Sequence, residues 1–233
     1  YQVSMKSFGN VTVRGWLEIP PPLEKASDCP VVIRFPGYGT QMRPTSKSYP
    51  WVVFSFNPSA HGNSQDEVKG KPVDYWLRGL DRREDYFYRG AFLDCVRALD
   101  YVASLKKIDP DRIAVIGTSQ GGGLALATAA LDPRVDFCAP DIPFLCDWKN
   151  YFKLSHWPEM QQWIEAEPHR SWGTTLNTMS YFDTLNFADR ISCPVFMGVG
   201  LQDGICPPTT NFSVYQRLNG QKEYRLYPET GHG

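Results

Sequence analysis

Three side chains in this sequence have the types that nucleophilic acyl transfer needs: a serine, an aspartate and a histidine, each just past an apolar run. Ser119 stands in Gly117-Thr118-Ser119-Gln120-Gly121, straight after Ile113-Ala114-Val115-Ile116 and straight before Gly122-Gly123-Leu124-Ala125-Leu126-Ala127. The pattern reads as strand, tight turn and helix with the serine at the apex. So sharp a turn strains its central residue, and glycines on both sides let neighbouring backbone come close. G-x-S-x-G alone arises often by chance; the flanking strand and helix make it specific here. A serine hydroxyl is a weak nucleophile at neutral pH. It needs a base within hydrogen-bond reach, and the base needs an orienting partner.

The turn resembles the nucleophile elbow of the α/β-hydrolases, in which an acid and then a histidine follow the serine, each on a loop after a later strand. The chain offers both in that order. The apolar run 194–199 leads into Gly200-Leu201-Gln202-Asp203-Gly204, and the run 223–227 leads into Pro228-Glu229-Thr230-Gly231-His232. Each has a plainer reading, since Asp-Gly is a common turn pair and a lone loop histidine is usually just exposed. Order and strand-end position favour Asp203 as acid and His232 as base. Among the four histidines, His61, His156, His169 and His232, the rival is His61, in Ser59-Ala60-His61-Gly62-Asn63 after the run 51–56. It is out of order for a base and reads as a pocket-wall or loop-fixing residue. The oxyanion hole needs two backbone N–H donors. Gln120, next to the serine, supplies one, and Tyr38, in Pro36-Gly37-Tyr38-Gly39-Thr40 after the run 31–35, supplies the other. Losing one such donor typically costs ~10²–10³ in turnover.

The elements that must position these groups follow from periodicity. Residues 11–19 alternate as a half-buried strand, ended by Pro20-Pro21-Pro22. The runs 31–35, 51–56, 113–116 and 194–199 are nearly continuous and rich in β-branched residues, as in a parallel sheet covered on both faces; 135–138 is a shorter candidate. Between them, Phe92, Val96, Leu99 and Ala103 share a helical face widened by Cys95 and Val102, 124–131 is rich in Ala and Leu, and 207–218 opens on prolines. Strands alternating with helices imply an α/β fold with a doubly wound, mostly parallel sheet in a single domain over residues 1–233. Residues 144–187 break the rhythm with Trp148, Tyr151, Phe152, Trp157, Trp163, Trp172, Tyr181 and Phe182, and read as a helical, aromatic-rich insertion or cap over the sheet's C-terminal edge. Most of these rings are expected to pack the insertion, with at least one reaching the pocket.

Bulk properties narrow the classes. With 233 residues and 42% apolar content, the chain can bury about 70–75% of its unfolded surface and needs no metal or disulfide to fold. Its net charge of −1 carries no basic stripe for nucleic acid and no polybasic segment for anionic lipid, and no run of 18 apolar residues exists to span a membrane. The six cysteines are scattered, which suits buried small hydrophobes rather than a disulfide or metal framework. No signal peptide is visible, but the chain opens on Tyr1, so a trimmed start is expected and cytoplasm, periplasm and secretion all stay open.

Taken together, Gly117-Thr118-Ser119-Gln120-Gly121-Gly122-Gly123, Asp141-Ile142-Pro143-Phe144-Leu145-Cys146-Asp147 and Gly200-Leu201-Gln202-Asp203-Gly204-Ile205-Cys206-Pro207-Pro208 resemble carbohydrate esterase family seven, the acetyl xylan esterases and cephalosporin C deacetylases. Tyr86-Phe87-Tyr88-Arg89-Gly90, Arg97-Ala98-Leu99-Asp100 and Asp109-Pro110-Asp111-Arg112-Ile113 extend the match to almost the whole chain. The resemblance implies an α/β-hydrolase with Ser119 as nucleophile, Asp203 as acid, His232 as base, and Tyr38 and Gln120 as oxyanion donors. It implies hydrolysis of acetyl esters of sugars, short xylo-oligosaccharides above all, or of cephalosporin C, with no metal or organic cofactor and a ring-like hexamer. Pro143 and Phe144, with His61 and Asn63, belong on this reading to the substrate pocket or its support. Members usually carry Arg-Gly-Gln-Gly where this chain has Ala60-His61-Gly62-Asn63, His-Gly-Tyr where it has Pro36-Gly37-Tyr38, and Glu after the histidine where it has Gly233. The expectation is that His61 or Asn63 replaces a lost support of the base. Members also start earlier and continue past the histidine with a final helix, so the chain is expected to lack some terminal family segments. Alternatives are another small-ester or peptide hydrolase of the same fold, or a catalytically dead relative acting as a binding module.

Overall fold

A computed structural model of the chain describes residues 1–67 and 72–233. Its centre is one eight-stranded sheet in the order β1-β2-β4-β3-β5-β6-β7-β8. The strands are β1 Gln2–Lys6, β2 Thr12–Glu18, β3 Cys29–Phe35, β4 Val52–Asn57, β5 Ile108–Thr118, β6 Phe137–Asp141, β7 Val195–Gly200 and β8 Lys222–Tyr227. The pairs β1–β2 and β2–β4 are antiparallel and all others parallel, giving the doubly wound, mostly parallel sheet the sequence predicts. All six residues of β4 are buried, which is why that strand reads as an unbroken apolar run rather than an alternation.

The chain moves from β3 outward to β4, then returns past β3 to β5. Right-handed crossovers therefore put the β3–β4 connection on one face and α1 Phe87–Ala103 and α2 Gln120–Leu131 on the other. This reversal is a topological switch point. The loops leaving β3 and β5 part there and open a crevice at the strands' C-terminal ends. Residues 36–51 are pinned over their face without a helix. Asn57 accepts the Met42 N–H at 2.7 Å and donates to the Met42 carbonyl at 3.0 Å, while the Glu18 carboxylate accepts the Thr45 N–H at 2.9 Å. On the helical face, Tyr88, Phe92, Cys95, Leu99 and Val102 of α1 enter the core. Burying a side chain such as Leu99 is worth about 1.5–3 kcal/mol.

The insertion over 144–187 is helical, with α3 Trp148–Leu154, α4 Pro158–Glu165 and α5 Trp172–Ser180; α6 Pro208–Arg217 then bridges β7 and β8. All six cysteines are free and buried. Among the described residues, no helix is long and apolar enough to cross a membrane. Several elements differ from what periodicity predicts. β1 is an additional strand, in which Val3 and Met5 alternate toward the core. The short run at 135–138 pairs two residues later, because Ala114 sits opposite Phe137. α1 begins five residues before Phe92. β5 begins at Ile108, a register irregularity beside Cys29 and Val31 absorbing the residues before Ile113.

Candidate active site

Ser119 sits between the last residue of β5 and the first of α2 at φ 58°, ψ −122°, a left-handed conformation that costs a non-glycine residue on the order of 1–3 kcal/mol. Its N–H donates to the Asp141 carbonyl at 2.9 Å, and its carbonyl accepts from Gly123 at 3.1 Å and Phe144 at 2.9 Å. The flanking glycines are a packing necessity. A Cβ on Gly117 would collide with the Gly121 backbone, and one on Gly121 with the Phe35 carbonyl.

Asp203 lies in the loop after β7 with a fully buried side chain. One carboxylate oxygen accepts the N–H groups of Ile205 at 2.8 Å and Cys206 at 2.7 Å; the other accepts from His232 Nδ1 at 2.8 Å. That bond leaves Nε2 as an acceptor, 3.0 Å from Ser119 Oγ. The structure thus brings together three residues that the sequence places 84 and 29 positions apart (203 − 119 and 232 − 203), in a hydrogen-bond chain able to move a proton from the serine to the imidazole. Cys206 Sγ lies 3.9 Å from Ser119 Oγ, and burial pushes this thiol well above the ordinary range.

Gln120 is buried, and its amide is held from three sides. Tyr88 donates to Oε1 at 2.8 Å, the Tyr75 hydroxyl lies 3.2 Å from Oε1, and Nε2 donates to His61 Nε2 at 2.8 Å. His61 is itself buried. Its Nδ1–H donates to the Ser59 carbonyl at 3.0 Å, and loss of hydration lowers its pKa to about 4, so the ring is a neutral acceptor at Nε2. Tyr38 follows β3, with its ring 4.5 Å from that of Tyr75, whose hydroxyl accepts the Gly39 N–H at 2.9 Å.

The expected support of the base by His61 or Asn63 is not what the loop after β4 provides. His61 turns into the elbow against Gln120. Asn63 turns back to β4 and β2, accepting from Asn57 Nδ2 at 2.9 Å and, through its carbonyl, from Arg14 at 2.8 Å. Tyr75 and Tyr88 escaped the sequence reading because an aromatic in a core run carries no mark of a polar role.

A cavity of about 740 Å³ opens in front of Ser119 and His232, walled by Tyr38, Met42, Trp157 and Ile205. Beside the serine is a recess of about 30 Å³ between Tyr38, Trp76, Phe144, Trp157 and Ile205. Phe144 and Trp157 thus reach the site from the insertion. Trp148 and Tyr151 are buried within it and Tyr181 is exposed. Pro143 lies behind the wall, its carbonyl accepting from Asn211 at 2.7 Å. Among the described residues, one trio offers metal-ligand atoms within 4.8 Å of one another, Asp203, Cys206 and His232. Its carboxylate is already engaged by two N–H groups and the imidazole.

A family model described as acetyl xylan esterase matches residues 1–233. The acetyl esterase Axe7A of Xylanibacter ruminicola is 32% identical over 251 residues, covering 100% of this chain and 55% of that protein. The chain thus spans little more than half of that curated relative. Two solved structures superpose over the whole chain and 78% of their own: the acetyl xylan esterase from Paenibacillus sp. R4, 32% identical with a TM-score of 0.87, and acetyl xylan esterase 1 from Thermoanaerobacterium sp. JW/SL YS485, 30% identical with a TM-score of 0.90. The sheet and its insertion form an α/β-hydrolase fold.

Proposed function

The chain belongs to the acetyl xylan esterase family, and from that premise we propose that it is a serine esterase removing acetyl groups from carbohydrate hydroxyls, with acetylated xylo-oligosaccharides as the leading substrates. The observation that carries this reading is the hydrogen-bond chain Ser119–His232–Asp203 beside a recess of about 30 Å³. A water needs about 10–15 Å³ of such space, so a recess of this size suits a methyl group better than a longer acyl chain.

Ser119 Oγ attacks the acetyl carbonyl while His232 Nε2 takes its proton. The Asp203 carboxylate holds the Nδ1–H and faces the imidazolium that forms. The Tyr38 and Gln120 N–H groups receive the oxyanion. His232 returns the proton to the departing sugar oxygen, and water activated by the same ring then frees acetate and Ser119. Acetate release from acetylated xylo-oligosaccharides, absent with Ser119→Ala, tests the activity. Turnover of p-nitrophenyl esters that rises from acetyl to longer chains would overturn the acetyl preference. Absence of fluorophosphonate labelling of Ser119 in folded protein would favour a binding module instead. Assembly into a homo-oligomer, six-membered by the family resemblance, belongs to the same proposal; a monomer by light scattering would remove it.

A further inference from the structure

We propose that Tyr75 and His61 are positioning residues that hold the two oxyanion donors in register with each other. The inference rests on the serine-esterase reading and adds what fixes the electrophilic side of that site. The two donors come from different strands, Tyr38 after β3 and Gln120 after β5, and the crevice between those strands is where the sheet reverses direction. Backbone pairing ends there, since the last β3–β5 pair is Phe35 with Gly117. Beyond it, side chains must set the separation of the donors.

The Tyr75 hydroxyl spans the gap. It accepts the Gly39 N–H at 2.9 Å, next in sequence to Tyr38, and has one proton to give across the gap, with Gln120 Oε1 on the elbow at 3.2 Å and His61 Nε2 on the loop after β4 at 2.9 Å. His61 completes the grip. Its Nε2 accepts from Gln120 Nε2, and its tautomer is set by the Ser59 carbonyl. Ser59 is anchored in turn, its N–H donating to Asp94 Oδ2 at 2.8 Å while Ser7 binds the other oxygen of that buried carboxylate. A chain of contacts thus runs from α1 through the loop after β4 into the first residue of α2. A hydrogen bond left unmade inside so dry a network costs more than its net worth when made. The Gln120 side chain therefore has one well-determined place, and its N–H follows.

The test is kinetic, with p-nitrophenyl acetate as probe. Tyr75→Phe and His61→Ala are each expected to lower kcat by about tenfold or more, bounded by the ~10²–10³ typical of losing a whole oxyanion donor, with KM within about twofold. His61→Gln, which returns an amide oxygen to accept from Gln120, is expected to recover most of the His61→Ala loss. In a Gln120→Ala background, His61→Ala is expected to change kcat by less than about twofold, because its route runs through that side chain. Full additivity of the two, losses confined to KM, or kcat near native in folded Tyr75→Phe and His61→Ala would overturn the proposal. Should His61→Ala fail to fold, Tyr75→Phe and His61→Gln still decide it. Failure of the native protein to hydrolyse any ester would overturn the esterase reading and this one with it, whereas native turnover with indifferent variants overturns this one alone.

Discussion

The two halves of the site are built differently. On the nucleophile side, Ser119 and Gln120 lie between a central strand and a buried helix, with Gln120 fully enclosed and its amide gripped by Tyr75, Tyr88 and His61. On the base side, His232 sits on the loop after the edge strand β8, its side chain 23% exposed and, among the described residues, held by Asp203 and Ser119. Ångström-level placement matters for the proposed oxyanion donors, which would act through fixed dipoles in a dry site. The imidazole only has to swing its proton between two oxygens, and one rigid carboxylate, itself tied down by two N–H groups, orients it well enough. Side-chain contacts are concentrated where, on the proposed mechanism, charge develops.

Replacing the chemistry outright is the largest break. Ser119→Ala and His232→Ala are each expected to cut turnover by about 10⁶-fold, with the double variant no worse, since such residues act as a unit. Asp203→Asn is expected to cost less, about 10⁴-fold, by offering the ring the wrong tautomer. Acetate release in single-turnover mode ranks the three.

A pair of alanines separates the two halves more finely. A Cβ on Gly200 would stand 2.8 Å from the Gly231 carbonyl and 2.9 Å from that of Thr230, shifting the His232 loop at the sheet's edge. Gly200→Ala is expected to lower kcat by on the order of 10²-fold, the scale of a 1 Å misplacement, with a modest fall in melting temperature. Gly121→Ala drives a Cβ into the Phe35 carbonyl at the sheet's centre and is expected to cost far more stability. Equal melting temperatures for the two would erase the contrast.

Widening the acyl recess should change selectivity without touching either half. Trp157→Ala is expected to raise the butyrate-to-acetate ratio of kcat/KM by about tenfold, in line with the 10–200-fold that one methylene can carry. An unchanged ratio in the p-nitrophenyl series would move the recess wall elsewhere.

The smallest effect is a pH dependence of stability on the nucleophile side. His61 falls from its ordinary 6.5 to about 4 on burial among Tyr75, Gln120 and Phe87. Its folded value is depressed, so its contribution is fully present above about 6.5 and is lost as pH drops toward 4, on the order of 3 kcal/mol in all. Asp183 has the opposite sign over much of the same window. Burial raises it to about 6, so its contribution is present below the ordinary carboxylate range and is lost as pH rises through 6. The histidine is therefore isolated by difference: between pH 7 and pH 4.5 the native protein should lose more stability in denaturant melts than His61→Gln. Identical slopes would mean that His61 titrates normally.

What was legible in the sequence follows the same division. Ser119, Asp203 and His232 announce themselves because each ends an apolar run that must be a strand, and the folded chain does bring them within hydrogen-bond distance. The core strands and the main helices were legible for the same reason, since periodicity reports burial directly. The network around Gln120 was not. His61, Tyr75 and Tyr88 lie 59, 45 and 32 residues away from it, and a tyrosine whose ring packs while its hydroxyl works looks like any core aromatic. In sequence His61 suits a prop of the base, and only the direction of its side chain reveals a different partner. The shift of β6 by two residues has a similar cause, because register is a property of two strands and Phe137 alone does not declare its partner.

The pairing of β8 with β7 carries a consequence for how competence arises. Ser119, the elbow and the loop of Tyr38 belong to elements complete by α2, while the imidazole enters only when β8 zips along β7, six residue pairs from Val195–Lys222 to Gly200–Tyr227. During refolding, recovery of base-assisted turnover therefore cannot outrun that docking step. Because labelling of Ser119 needs the same imidazole, it is expected to return together with acetate release, both set by an edge strand.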